Sequence, residues 1–417
     1  METRLTGKEP HPQNRPPAFL NSFNLVRFLA AIHIVNGHLF ERALISHDLP
    51  AELTVLLSSS ASYSTSLFFV LSGIVLAYTR GKRADQATCH EDPFRLFLRR
   101  SMRGVPFLLI GAGLFAAKPL LLEGYSTAVF FQFLYSISLV SPFLFDTPSL
   151  NAPAWAMSVF VMGYFIDAYF GRIIGAQSTN RSLLAIGLMG SLLSVFIFIC
   201  CVLLPVSPSY LPRHYDNWSL ALHVFPLPRV VEMILGMFLG SLLYRHYWQI
   251  QAAFSRCLIS NGIACSLIVL FNLACLALIS RMPGHLAFLA THGLLLAPLS
   301  IMLLALAVND GWVETLRLGR LTRFLGSLTL PIYLLHVPCR GMYALAVWMF
   351  FSDVARDSWI FMAGYFTFLG VFSYSALSLV NRCSIENVTR PIADRPRVAR
   401  EWPVGVIAVG NGNGSLH

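Results

Sequence analysis

Ten apolar runs, each about long enough to cross the ~30 Å hydrocarbon core of a bilayer, limit what this chain can fold into. They lie near residues 24–43, 58–79, 105–122, 153–171, 182–204, 226–244, 257–280, 289–308, 325–348 and 358–380. The expected fold is therefore all-α, a polytopic membrane helix bundle of about ten transmembrane helices. Composition agrees, because 56% of the 417 residues are hydrophobic and only 12% are charged, too much apolar surface for a water-soluble core.

The formal net charge of +10 does not call for nucleic acid, since the charges sit in short loops between apolar runs. Ten spans put both ends on one side. That side collects Arg80, Lys82, Arg83, Arg95, Arg99, Arg100 and Arg103 together with most other basic residues, whereas the opposite segments hold only Arg42, Arg213, Arg281 and Arg356. The positive-inside rule then makes both termini cytoplasmic. Residues 1–20 read as a cytoplasmic leader with span 1 retained, 21–395 as the membrane domain, and 396–417 as a disordered cytoplasmic tail ending in GNGNGSLH. The eight cysteines form no CxxC pair, so no disulfide framework or zinc site is expected. The consecutive residues of "CHED" (Cys89 to Asp92) read as a solvated loop, and no metal is expected.

The first run contains "RFLAAIHIVNGH", with Arg27 and His38 eleven positions apart. Eleven residues advance a helix by ~16 Å and about 20° beyond three full turns, so both side chains project from nearly the same face at different depths. Alone, Arg27 can snorkel and His38 can serve as a packing residue. Together on one stripe they imply a polar path, with Glu41 three residues further on and able to fix the imidazole tautomer. The separation is comparable to the reach of a pantetheine arm, so an arginine at the mouth can hold coenzyme A phosphates while the thioester lies at the histidine.

At this point the chain resembles the bacterial acyltransferase-3 family of membrane proteins. The arginine, ten residues, histidine pattern of Arg27 and His38 carries the resemblance. So do "FFVLSGIVL" (68 to 76) with Ser72 and Gly73, and "RRSMRGVP" (99 to 106) with Arg100 and Arg103. "PAWAMSVFVMGYF" (153 to 165) is similar to the family's Trp-Ser-Leu-Ser-Val-Glu stretch, with Trp155, Ser158, Val159 and Tyr164 in register and Phe160 standing at the glutamate position. "LPRVVEMILGMFLG" (227 to 240), "LGSLTLPIYLLHVP" (325 to 338) and "SIENVTRP" (384 to 391) follow in family order. The resemblance implies an O-acyltransferase of the bacterial inner membrane that moves an acyl group, commonly acetyl from acetyl-CoA, onto a sugar hydroxyl of an envelope or secreted glycan. The partners it implies are a glycan or lipid-linked saccharide acceptor and membrane lipids; the oligomeric state stays open.

Arg100 and Arg103, one turn apart at the membrane boundary, can grip one pyrophosphate bidentately, with Arg27 beside them; the other reading is anchoring to anionic lipid. Ser72 and Gly73 can bring backbone close to the cofactor or form a small-residue helix contact. Arg229 and Glu232 make an internal ion pair or bind substrate, and Ser158, Tyr333, His336 and Glu41 complete the substrate-binding candidates. Trp155 reads as an aromatic-belt anchor. With the family's glutamate replaced by Phe160, Glu232 and Glu41 are the nearest substitute carboxylates. His38 is the expected general base, taking the proton of the acceptor hydroxyl, either in direct transfer or through an acyl-enzyme. The rival class is a transporter or flippase using the same polar stripe for a sugar or anionic ligand.

Overall fold

The computed structural model describes residues 16, 17, 20–40, 44, 50–54, 56–57, 61–85, 92–122, 126–140, 143, 152–203, 225–257, 261–279, 282, 289–351 and 358–388. Among these residues every regular element is helical. The principal helices are α1 (Asn21–Leu39), α2 (Ala61–Asp85), α3 (Pro93–Ser101), α4 (Val105–Leu122), α5 (Thr127–Ile137) and α6 (Trp155–Ala176). They continue with α7 (Thr179–Leu203), α8 (Pro226–Cys257), α9 (Asn261–Ile279), α10 (Leu296–Val308), α11 (Gly319–Phe350) and α12 (Trp359–Val388).

Six helices are long and apolar enough to cross a membrane: Ala61–Asp85, Trp155–Ala176, Thr179–Leu203, Pro226–Arg256, Gly319–Phe350 and Trp359–Arg382. The remaining four apolar runs are helical too, as α1, α4, α9 and α10. Of these, α1 carries Arg27 within its length, and α10 is only 13 residues long behind a π-helical turn at Ala290–Leu294. The periphery is greasy. Leu184, Leu188 and Leu192 of α7 all point outward, as expected of side chains whose solvent is lipid.

The centre of the bundle is the crossing of α2 and α8, where three glycines let two backbones touch. A Cβ on Gly73 would lie 2.0 Å from the Met233 carbonyl oxygen, one on Gly236 2.1 Å from Val70 O, and one on Gly240 2.3 Å from Ile74 O. In lipid, helix association depends on such close packing. Gly236→Ala is therefore expected to destabilise the protein by about 1–3 kcal/mol or more through overpacking against backbone that cannot yield. Thermal unfolding in detergent checks this, and an unchanged midpoint would show that the helices have room to part.

Helix α1 is fixed at its start by a distant carboxylate. Asp310 accepts from the backbone N–H groups of Asn21 (2.8 Å) and Ser22 (2.5 Å), satisfying two donors that have no intrahelical partner. Its flank lies on α2 and α11. Shorter α3 is capped by Asp92, whose side chain accepts from Arg95 N at 2.9 Å, with Pro93 at its first position. This helix rests on α6.

Candidate active site

On α1, Ala31 and Ile34 lie on the same stripe as Arg27 and His38 and are 0% and 1% exposed, so the stripe faces the protein interior. At its far end His38 meets a second histidine. His38 Nδ1 and His336 Nε2 are 2.9 Å apart, with the rings stacked at a centroid distance of 5.2 Å. His336 belongs to α11, between Pro331 and Pro338, and is fully buried. Its Nδ1 lies 2.7 Å from the Tyr333 carbonyl oxygen, and its own carbonyl accepts from the Tyr365 hydroxyl at 2.6 Å.

These contacts assign the protons. A carbonyl oxygen only accepts, so His336 carries its proton on Nδ1 and donates it to Tyr333 O. In the neutral ring Nε2 of His336 is then an acceptor, and His38 Nδ1–H donates to it. The remaining nitrogen, His38 Nε2, is left unprotonated with no hydrogen-bond partner among the described residues. A free lone pair on an oriented imidazole is what a general base requires. Sequence reading gave the orienting task to Glu41, which lies outside the described residues; the structure puts His336 against the same ring nitrogen, and both ring nitrogens of His336 are occupied.

At the other end of the stripe, Arg27 is half-buried and forms no ion pair among the described residues. Tyr164 of α6 lies within electrostatic reach of Arg27, Arg100 and Arg103. Arg103 is exposed, whereas Arg100 is 6% exposed and its Nη1 donates to Asp167 Oδ2. The other oxygen of Asp167 accepts from Arg80. Burial, and then the neighbouring guanidinium of Arg83, push Arg100 down to about 10, which leaves it charged at neutral pH. Arg100 is thus held by a buried carboxylate, and Arg103 is the member of the pair presented outward.

Between the two ends runs a series of rings. Tyr164 stacks on Phe160 (6.1 Å), Phe160 meets Phe68 edge-on (5.8 Å), Phe68 stacks on Tyr333 (5.8 Å), and Tyr333 approaches His336 (6.0 Å). Phe160 is 4% exposed and also contacts Phe69 at 5.4 Å. Phe160, which stands where the sequence resemblance implies a glutamate, is therefore the middle of an aromatic wall.

Arg229 and Glu232 are each 1% exposed and closed on Ser66. Arg229 Nη1 donates to Glu232 Oε1 (2.7 Å) and to Ser66 Oγ (2.9 Å), and Ser66 donates to the same carboxylate oxygen at 2.9 Å. The second oxygen, Glu232 Oε2, is buried without a hydrogen-bond partner among the described residues. Tyr333 lies within electrostatic reach of Arg229, which joins this triad to the ring series. Ser72 donates to Phe68 O at 2.7 Å, and the space left by the missing side chain of Gly73 is filled by α8 backbone. Ser158 donates to Leu139 O at 2.6 Å and so pins a residue with φ of 62°. Trp155 is 7% exposed and packs on Phe69 at 5.8 Å, placing it in the core instead of an aromatic belt. Cys89, His90 and Glu91 of the "CHED" stretch lie outside the described residues.

Asp167 and the positioning role of His336 were not read from sequence. The signal for Asp167 was present, as the one acidic residue in the apolar run 153–171. With Phe160, Tyr164 and Gly171 it forms one face of α6, at spacings of 4, 3 and 4 residues. Gly171 completes that face by leaving room for the Arg80 guanidinium, which a Cβ would meet at 2.2 Å.

No curated protein and no solved structure matches the chain. The family model described as "Acyltransferase domain" matches residues 20–380, from the start of α1 into α12, and so spans both ends of the Arg27–His38 stripe and the histidine pair. That match decides between transferase and transporter, and the chain belongs to the acyltransferase-3 family and is an acyltransferase.

Proposed function

We propose that the protein transfers an acetyl group from acetyl-CoA to a sugar hydroxyl of an envelope or secreted glycan, with His38 as the general base. The observation that supports this reading most directly is the Nε2 of His38, without a hydrogen-bond partner among the described residues and held in one tautomer by the His336 and Tyr333 O chain. In this reading ten spans leave both termini in the cytoplasm of a bacterial cell, and Arg103, Arg27 and the Tyr164 hydroxyl receive the donor phosphates at the cytoplasmic mouth. Arg100 keeps that mouth in shape through Asp167. The thioester then lies along the ring series, and Phe160 and Phe68 shift aside to admit the acyl arm, because the stripe between Arg27 and His38 is closed by Ala31 and Ile34.

His38 Nε2 takes the proton of the acceptor hydroxyl as its oxygen attacks the thioester carbonyl carbon. The C–S bond breaks, and the leaving thiolate recovers the proton from the imidazolium. His336 steadies the cation that forms on His38, because its Nε2 lone pair still accepts from Nδ1–H. The unpartnered Glu232 Oε2 is the hydrogen-bond site for a second acceptor hydroxyl.

The test is acetyl-CoA consumption by purified protein, together with mass spectrometry of surface glycans from cells with and without the gene. Loss of acetyl esters on deletion supports the reading; consumption without any glycan product overturns the acceptor assignment. Within the same assay, Arg103→Ala is expected to raise KM for acetyl-CoA by about tenfold with kcat little changed, the result of losing one charge-assisted contact made equally in ground and transition states. An unaltered KM would remove Arg103 from the donor site.

A further inference from the structure

On the far side of the Arg80–Asp167 pair, a cleft of about 210 Å³ opens between α2, α6 and α8. One arginine from each helix lines it: Arg80, Arg172 and Arg245, beside the hydroxyl-bearing Ser241 and Tyr244. Arg80 Nη2 reaches Ser241 Oγ at 3.4 Å, while Nη1 is committed to Asp167. Arg245 is aimed by Gln177 O (2.5 Å), Ser241 O (3.3 Å) and Ser182 Oγ (3.4 Å), all neutral groups. Arg172 is exposed and makes no ion pair or hydrogen bond among the described residues.

The charges do not cancel. Among the described residues only Arg80 of the three arginines has a carboxylate, and it shares that carboxylate with Arg100. The other acid nearby, Asp85, accepts from the Tyr244 hydroxyl. Gly81 lets the Tyr244 ring lie against α2, where a Cβ would meet it at 2.6 Å, and Gly175 lets the Arg80 guanidinium lie along α6. Planar guanidiniums converging from three elements match an oxyanion with several acceptor oxygens.

We infer that this cleft binds a phosphate-bearing ligand through Arg80, Arg172 and Arg245, at a site separate from the arginines around Tyr164. The phosphate belongs either to the headgroup of an anionic lipid or to a soluble compound. The inference stands apart from the acyl-transfer reading, since its test needs no turnover.

The experiment uses full-length protein carrying Arg103→Ala, which silences the exposed arginine of the other cluster. Thermal unfolding is followed in detergent with inorganic pyrophosphate, and in phosphatidylcholine nanodiscs with and without phosphatidylglycerol. Adding Arg172→Glu, at an exposed position that does not support the fold, is expected to raise the concentration for half-maximal stabilisation by about tenfold or more. Arg245→Gln should do the same. A response to pyrophosphate identifies a soluble phosphate, and a response to phosphatidylglycerol alone identifies a lipid headgroup. No stabilisation by either probe, or equal stabilisation with and without Arg172→Glu, overturns the inference.

Discussion

His38→Ala is expected to lower kcat/KM for acyl transfer by about 10²–10⁴-fold, the range that a positioned general base contributes. His336→Ala should reduce kcat with little change in the KM for donor, since both ring nitrogens of His336 are engaged, by His38 and by Tyr333 O, and neither is left to bind the acyl-CoA. The double variant should be about as slow as His38→Ala alone, because residues acting as one unit do not add. His336→Gln separates orientation from mere bulk: its side-chain oxygen can accept from His38 Nδ1–H and should recover part of the rate. Undiminished transfer by His38→Ala would reject the base. Additive losses in the double variant would show that His336 acts elsewhere.

Asp167→Ala should produce the largest loss of stability. The carboxylate is buried between Arg80 and Arg100, whose side chains are 16% and 7% exposed. Removing the acid strands two guanidiniums in the interior, a change that costs about 3–5 kcal/mol when a buried pair loses one partner. Unfolding in detergent should move down accordingly. Removing one cation as well, in Asp167→Ala/Arg80→Gln, should restore part of that loss, because only one buried charge then lacks its partner. If the double variant is no more stable than Asp167→Ala, the destabilisation comes from lost packing on α6 and not from stranded charge.

The helices were legible in sequence because a lipid-exposed span needs a continuous apolar run: the ten runs are helical over most of their described residues, and six of them lie in helices long and apolar enough to cross a membrane. Their ends were less so: α8 runs to Cys257, well beyond its apolar run at 244, and bends where His246 leaves helical geometry at φ −120° and ψ 25°. The inward stripe of Arg27 and His38 followed from helical periodicity alone. What met the stripe did not. His336 is 298 positions from His38, and nothing local in either segment encodes their contact. Gly73 carried two readings in sequence, ligand or helix contact, and only the position of Met233 O distinguishes them. For Arg100 and Arg103 the i, i+3 spacing put both on one face, while the packing of α3 on α6 gave one to Asp167 and turned the other outward.

The ring series has a consequence for the cell that carries this protein. A membrane holding titratable groups at two depths invites hydrogen ions to run down their electrochemical gradient wherever a file of water joins them. Between Tyr164 and Tyr333 the route passes through Phe160 and Phe68, rings with nothing to donate or accept. A glutamate at position 160 would supply a relay station there, whereas phenylalanine offers a hydrogen ion none.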